Sequence, residues 1–103
     1  MTGADVIRDT LEYFGPNGEH WCEEGANSGA GDDLKLCLAM GLARGAKWTG
    51  GSFRINPWAR AINTCRAEVG CPLADFNDDP HTTWLNIKLV LKRALARLEE
   101  TGE

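Results

Sequence analysis

The 103-residue chain lacks an apolar run long enough to cross a membrane and lacks the leader of a secreted protein. Its longest apolar stretch, residues 34–43, contains Lys35 as its only charged residue and is far shorter than the ~20 residues of a membrane span. Met1 is followed by an acidic helical pattern, and not by basic and then apolar residues, so no signal peptide is predicted. These absences favour one cytoplasmic domain over residues 1–103, with no membrane as a partner.

The cysteines also lack a familiar pattern. Cys22, Cys37, Cys65 and Cys71 contain no Cys-x-x-Cys pair and no spacing typical of a small disulfide framework. Cys37 lies within the apolar run, where a thiol behaves as a small hydrophobic side chain. We therefore expect reduced cysteines, as in a cytoplasmic protein.

Acidic residues are absent from the middle of the chain, although the net charge is −4. Residues 1–33 contain eight acidic residues and one basic residue, whereas residues 34–67 contain six basic residues and no acidic one. One explanation is that the acidic and basic segments fold against one another; the other is a basic face that binds an acidic partner. We favour the first, because charge blocks in proteins are usually solvated or mutually compensated.

The apolar run predicts the central helix of the domain, over residues 34–43. A helix that is apolar on nearly every side has no face to offer to water, so we expect neighbours all around it. Asp32 or Asp33 is positioned to cap its first turn. Small residues such as Ala39 and Gly41 would let neighbouring helices approach closely.

Three further helices are indicated by their start and stop signals. Thr2 and Asp5 form a capping-box pattern at the start of the first helix, and Gly15-Pro16 ends it. Asn56-Pro57 begins a third helix, which ends before Gly70. Thr82 or Thr83 caps the last helix, in which one apolar stripe faces the core: Trp84, Ile87, Leu91, Ala94, Leu95 and Leu98.

The connections complete the predicted fold. Residues 17–31 form a long loop, in which Trp21 is expected to anchor the chain to the core. Gly50-Gly51, between short alternating runs, suggests a short β-hairpin over residues 46–55. The sequence therefore predicts a small four-helix, all-α domain.

The last helix has a second apolar stripe on another side. Leu85 and Leu89 are separated from the core stripe by Lys88 and Lys92. The hairpin, the long loop, a second copy of the chain or a protein partner must cover it. Together with the aromatic residues Trp48 and Phe53, these four residues are the predicted partner-binding set.

Two short motifs suggest a family. Phe76-Asn77-Asp78 is followed by Thr82 or Thr83 and a Leu/Ala-rich helix, and Trp21 precedes a helix with the sequence Cys37-Leu38-Ala39-Met40-Gly41. The pattern resembles a domain of unknown function found in actinobacteria and their bacteriophages. The resemblance implies a phage or actinobacterial source and supplies no activity.

The polar segment around the first motif allows two interpretations. In the structural one, Asn77 and Asp78 hydrogen-bond to the loop backbone and a helix start while Phe76 fills the core. In the catalytic one, His20, Asp78 and His81 act as general acids and bases. We favour the structural interpretation, since the sequence places no nucleophile beside these residues.

A metal centre and a nucleic-acid surface are further hypotheses. His20, Cys22, Cys71 and His81 include the ligand types of a zinc site, but their spacing matches no standard zinc pattern. No cofactor is therefore predicted. Residues 44–66 combine cations with rings, as nucleic-acid surfaces do, but the acidic total charge argues against this partner. The residues concerned are Arg44, Lys47, Trp48, Phe53, Arg54, Trp58 and Arg60.

The sequence favours a small cytoplasmic helical module, phage-derived or actinobacterial, that binds a protein partner or a second copy of itself. The second hypothesis is a small enzyme or metal-binding protein that uses the 20–22 and 76–81 loops. A phosphate or nucleic-acid binder is the third.

Overall fold

The all-α fold class is confirmed. A computed structural model describes residues 2–22, 35–45 and 57–102, and these residues form five helices. The helices are α1 (Gly3–Phe14), α2 (Leu38–Gly45), α3 (Pro57–Val69), α4 (Leu73–Asp78) and α5 (Trp84–Thr101). The hairpin expected over 46–55 and much of the loop expected over 17–31 lie outside the described residues.

Helix α1 begins and ends as its sequence predicts. The Asp5 backbone N–H donates to the Thr2 hydroxyl (3.2 Å), and the Thr2 N–H donates to the Asp5 carboxylate (3.0 Å). Gly15 ends the helix with a φ of 84°, a value that residues with a side chain rarely adopt. The reciprocal bonds between Thr2 and Asp5 satisfy two of the N–H groups at the start of the helix that have no partner within it.

Helix α2 begins at Leu38, so the prediction that it starts at residue 34 is wrong. Leu36 is instead extended and forms a parallel β-bridge with Trp21. Asp32 and Asp33, expected to cap the helix, precede its first residue by several positions and lie outside the described residues. The helix is not buried on every side either, because Met40 is 46% exposed.

Helices α3 and α4 are joined by a tight turn at Gly70, whose φ is 73°. Pro57 is the first residue of α3, as predicted, and Ala61 and Cys65 lie on its buried face. The short helix α4 was not predicted, because the Asp-Phe-Asn-Asp segment resembles a turn in composition. It packs against both α2 and α3, which raises the number of helices from the predicted four to five in the described chain.

Helix α5 is the longest, and Thr83, not Thr82, caps it. The Thr83 N–H and hydroxyl both donate to the Asn86 side-chain oxygen, at 2.8 and 3.0 Å. The predicted core stripe is confirmed, with Ile87, Leu91, Ala94 and Leu98 buried and Trp84 and Leu95 partly buried against them. Among the described residues, none of the helices is both long and apolar enough to cross a membrane.

The contact between α1 and α2 is close because Gly41 has no side chain. A Cβ added at this position would collide with the ring of Phe14, which is fully buried. Nearby, the buried Thr10 hydroxyl donates to the Val6 carbonyl (2.8 Å) and lies 3.2 Å from the Gly41 carbonyl oxygen. The predicted role of Gly41 in close helix approach is therefore confirmed.

Replacing Gly41 with alanine is expected to destabilise the protein by about 1–3 kcal/mol, since overpacking displaces a ring with little room to move. Urea unfolding followed by circular dichroism measures the loss. Combining Gly41→Ala with Phe14→Leu should recover part of the stability lost in Phe14→Leu alone. Additive losses in this double-mutant cycle would contradict a direct contact between the two positions.

Candidate functional site

One buried amide joins three segments that are distant in the sequence. The Asn77 side chain, 1% exposed, accepts hydrogen bonds from the Trp21 indole N–H (2.8 Å) and the Leu38 backbone N–H (3.0 Å). Its NH₂ group donates to the Cys22 carbonyl (3.1 Å). We call these four residues, Trp21, Cys22, Leu38 and Asn77, the Asn77 junction.

The Asn77 junction continues the parallel bridge between Trp21 and Leu36. Two hydrogen bonds define that bridge, from the Leu36 N–H to the His20 carbonyl (2.8 Å) and from the Cys22 N–H to the Leu36 carbonyl (2.9 Å). In a longer ladder, the next bond would join the Leu38 N–H to the Cys22 carbonyl. The Asn77 amide occupies that place, accepting from Leu38 and donating to Cys22, so it closes the ladder and caps α2.

The rest of the polar segment supports the loop before α5. Phe76 is partly buried against the core, and Thr82 is buried, with its N–H donating to the Asp79 carbonyl (2.9 Å). Asp79 also accepts from the His81 N–H (2.8 Å), whereas Asp78 is exposed and lies 3.5 Å from the Asn77 NH₂ group. Asp79 therefore performs the backbone bonding that the sequence assigned to Asp78.

The acid–base hypothesis places His20, Asp78 and His81 near one another. The Asn77 junction does bring the 20–22 segment to α4. However, His20 is half-buried with its ring 5.3 Å from that of Tyr13, while Asp78 and His81 are exposed to water. Because neither Asp78 nor His81 lies in a buried pocket, their surroundings give no support to a catalytic arrangement.

The zinc hypothesis is not supported by the positions of its ligands. All four candidates, His20, Cys22, Cys71 and His81, belong to the described residues. Within that part of the chain, no group of three or more His, Cys, Asp or Glu side chains is arranged to hold a metal ion. The four side chains therefore do not assemble into one site.

Part of the basic 44–66 segment is engaged within the fold. The Arg44 guanidinium lies over the Tyr13 ring, 4.0 Å from its centroid, in a cation–π contact. Trp58 is partly buried against the core. Lys47, Trp48, Phe53 and Arg54 lie outside the described residues, so neither the nucleic-acid surface nor the partner-binding prediction for Trp48 and Phe53 is tested there.

The second stripe of α5 faces solvent. Leu85 is 73% exposed and Leu89 is 47% exposed, although both lie on a helix whose opposite side supplies four core residues. Lys92 and Arg93 are exposed beside them. We call these four residues, Leu85, Leu89, Lys92 and Arg93, the outer face of α5.

Lys88 differs from the rest of the predicted set. It is half-buried, and its ammonium group donates to the Pro16 carbonyl (3.4 Å), which also accepts from the Trp84 indole N–H (3.1 Å). Lys88 thus ties α5 to the turn that follows α1.

Arg93 was not part of the surface predicted from the sequence, although helical spacing already places it next to Leu89.

The charges on the outer face have no carboxylate partner in the described structure. Arg8 pairs with Glu99 (3.3 Å) and Arg97 pairs with Glu68 (3.0 Å), both at the C-terminal end of α5. Neither Lys92 nor Arg93 forms an ion pair with any residue of the described ranges. The outer face therefore combines exposed leucines with cations that pair with no carboxylate of the described residues.

Comparisons with protein-family models, curated proteins and solved structures give no match. The resemblance to the actinobacterial and phage family thus stays a prediction. Three of the residues that carry it, Trp21, Leu38 and Asn77, meet at the Asn77 junction.

Proposed function

We propose that the protein is a small helical interaction module that binds a protein partner through the outer face of α5. The observation that supports the proposal is the exposure of Leu85 and Leu89 on the helix side opposite the core. Exposed leucines at i and i+4 form the apolar strip that an amphipathic helix of another protein can cover.

The charge of this face indicates what kind of partner fits. Lys92 and Arg93 flank the leucines, and residues 81–98 contain no acidic residue. A partner helix with leucines in its seam and glutamates beside them would bury the apolar strip and pair with both cations. Complementary charges of this kind raise the association rate and discriminate against other partners.

A second copy of the chain fits this face less well. If two α5 helices pair antiparallel with Lys92 opposite Glu100 of the second copy, Leu85 extends past Thr101, where the second copy's α5 ends. If they shift so that Leu85 is covered, Lys92 and Arg93 face the acid-free stretch 81–98. Antiparallel pairing of two α5 helices thus satisfies either the leucines or the cations, whereas an acidic partner helix satisfies both.

The cytoplasmic location and the phage or actinobacterial source belong to the same proposal. They are supported by the resemblance carried by Trp21, Cys37–Gly41 and Phe76–Asp78. A host-modulating role would follow if the source is a phage and the outer face of α5 binds a host protein.

Binding of a designed peptide tests the interaction surface. We expect a synthetic amphipathic helix with leucines flanked by glutamates to bind the protein and to shift the NMR signals of Leu85 and Leu89. Leu85→Glu should weaken binding at least about tenfold, because it replaces a central apolar contact with a charge that repels the peptide. High salt should weaken wild-type binding, since the charges are exposed.

Met40→Glu is the matched control, because Met40 is exposed on α2 to nearly the same degree as Leu89. This variant should bind the peptide as the wild type does, and both variants should keep their helical circular dichroism. Equal binding of a twin peptide with lysines in place of glutamates would contradict an acidic partner. Self-association that Leu85→Glu abolishes would instead identify a second copy as the occupant.

A further inference from the structure

The parallel bridge places two cysteines side by side. Because Trp21 pairs with Leu36, the next residues in register are Cys22 and Cys37. Side chains along an extended strand alternate between its two faces. The two residues that follow a bridged pair therefore share one face, opposite to the face of the bridged pair. The register thereby makes Cys22 and Cys37 neighbours, and both residues are half-buried with reduced thiols.

We propose that Cys22 and Cys37 form a redox-controlled disulfide bond. Paired strands lie about 4.8 Å apart, and a disulfide requires a Cα–Cα distance of about 4.4–6.8 Å. On the far side of the pair, the Asn77 amide stands between the Cys22 carbonyl and the Leu38 N–H. Because the Asn77 amide bonds to both segments, it holds the two cysteine-bearing chains together at this point.

The bond forms by thiol–disulfide exchange with a low-molecular-weight disulfide such as oxidised glutathione. One cysteine thiolate attacks a sulfur of the reagent, forming a mixed disulfide and releasing one reduced thiol. The second cysteine thiolate then attacks the protein sulfur of the mixed disulfide and releases the second reduced thiol. The two protein thiols are oxidised and the external disulfide is reduced, with both thiol protons lost to solvent or to the leaving thiolates.

The other two cysteines do not compete for this bond. Burial raises the pKa of the Cys65 thiol to about 12, so it is not available as a thiolate near neutral pH. Cys71 is exposed at the turn between α3 and α4 and is not part of the bridge. The product of the bond is a ring that encloses residues 23–36 of the sequence.

Tryptic digestion identifies the pairing directly, because each cysteine belongs to a different peptide. Cleavage after lysine and arginine separates Cys22 (residues 9–35), Cys37 (36–44), Cys65 (61–66) and Cys71 (67–88). The native protein is incubated with oxidised and reduced glutathione, alkylated and digested without reduction. Mass spectrometry should find the 9–35 peptide linked to the 36–44 peptide, at least about tenfold above every other pairing.

Three controls make the result decisive. Cys37→Ser should remove the linked species, whereas Cys71→Ser, at an exposed position, should leave its yield unchanged. In concentrated guanidinium chloride, the yield of the Cys22–Cys37 link should fall toward the yields of the other pairs, because the unfolded chain has no bridge to align these two cysteines. A native yield no higher than the denatured one, or a different dominant pair, would overturn the proposal.

Discussion

Replacing Asn77 with alanine is expected to destabilise the protein by about 3–5 kcal/mol. The substitution leaves the Trp21 indole N–H, the Leu38 N–H and the Cys22 carbonyl without the hydrogen bonds that Asn77 provides. A polar group buried without a partner costs about 1–3 kcal/mol. Since small domains have total stabilities of ~5–15 kcal/mol, this single change should bring the protein close to unfolding.

Urea unfolding of Asn77→Ala measures the loss, and Asn63→Ala is the matched control. Asn63 is exposed on α3, so its replacement should change stability by no more than ~0.5 kcal/mol. The NMR signal of the Trp21 indole N–H should also lose its protection from exchange in Asn77→Ala. A loss equal to that of Asn63→Ala would mean that water replaces the Asn77 amide at no cost, and would contradict its role as a buried link.

Asn77→Asp separates the two functions of the side chain. The carboxylate keeps acceptors for the Trp21 and Leu38 N–H groups but cannot donate to the Cys22 carbonyl. We expect this variant to be less stable than the wild type even though its shape is nearly the same, because two acceptor oxygens then face each other. The difference in unfolding free energy between Asn77→Asp and Asn77→Ala shows how much of the loss comes from the missing donor.

Helix starts and ends were predicted correctly where the capping residue is close in sequence to the helix end that it caps. The Thr2–Asp5 pair, Gly15 and Pro57 each act within a few residues of their own position, and the structure confirms all three. Thr82 and Thr83 could not be separated in the sequence, because both precede the same apolar stripe. The Asn86 side chain, which accepts from Thr83, decides between them.

The start of α2 could not be predicted, because its cap comes from elsewhere in the chain. The apolar pattern continues from Leu34 to Ala43, but Leu36 pairs with Trp21, and Asn77 provides the oxygen that accepts from the Leu38 N–H. Hydrophobic periodicity contains no information about a partner so far away. For the same reason, the sequence predicts that Asn77 bonds to backbone groups but does not identify its partners Trp21, Cys22 and Leu38.

The candidate interaction surface was predicted from the spacing of apolar residues alone, since helical periodicity separates the two stripes of α5. What spacing could not show is that Lys88 bonds to the Pro16 carbonyl and that Arg93 takes its place beside the leucines. The redox pair was missed altogether. Cys22 and Cys37 have no recognisable spacing, and only the bridge brings them into register.

Truncating a leucine should cost much stability in the core stripe of α5 and little on its outer face. Leu91 and Leu89 form the matched pair that tests this. Leu91 is fully buried and Leu89 is 47% exposed, on the same helix and two residues apart. Leu91→Ala should cost about 2–5 kcal/mol, because it removes buried methyl groups and leaves a cavity in the core. Leu89→Ala should cost no more than about 1 kcal/mol, since roughly half of its surface is already exposed and alanine is the better helix former.

Chemical unfolding of the two variants under identical conditions gives the comparison, and peptide binding extends it. Leu89→Ala should weaken binding of the acidic peptide while the protein stays folded and within about 1 kcal/mol of the wild-type stability. Leu91→Ala should bind the peptide normally wherever it is still folded, because its side chain does not reach the outer face. Similar losses of stability at both positions would mean that Leu89 is covered in solution, and the outer face of α5 would then be part of the core instead of a binding surface.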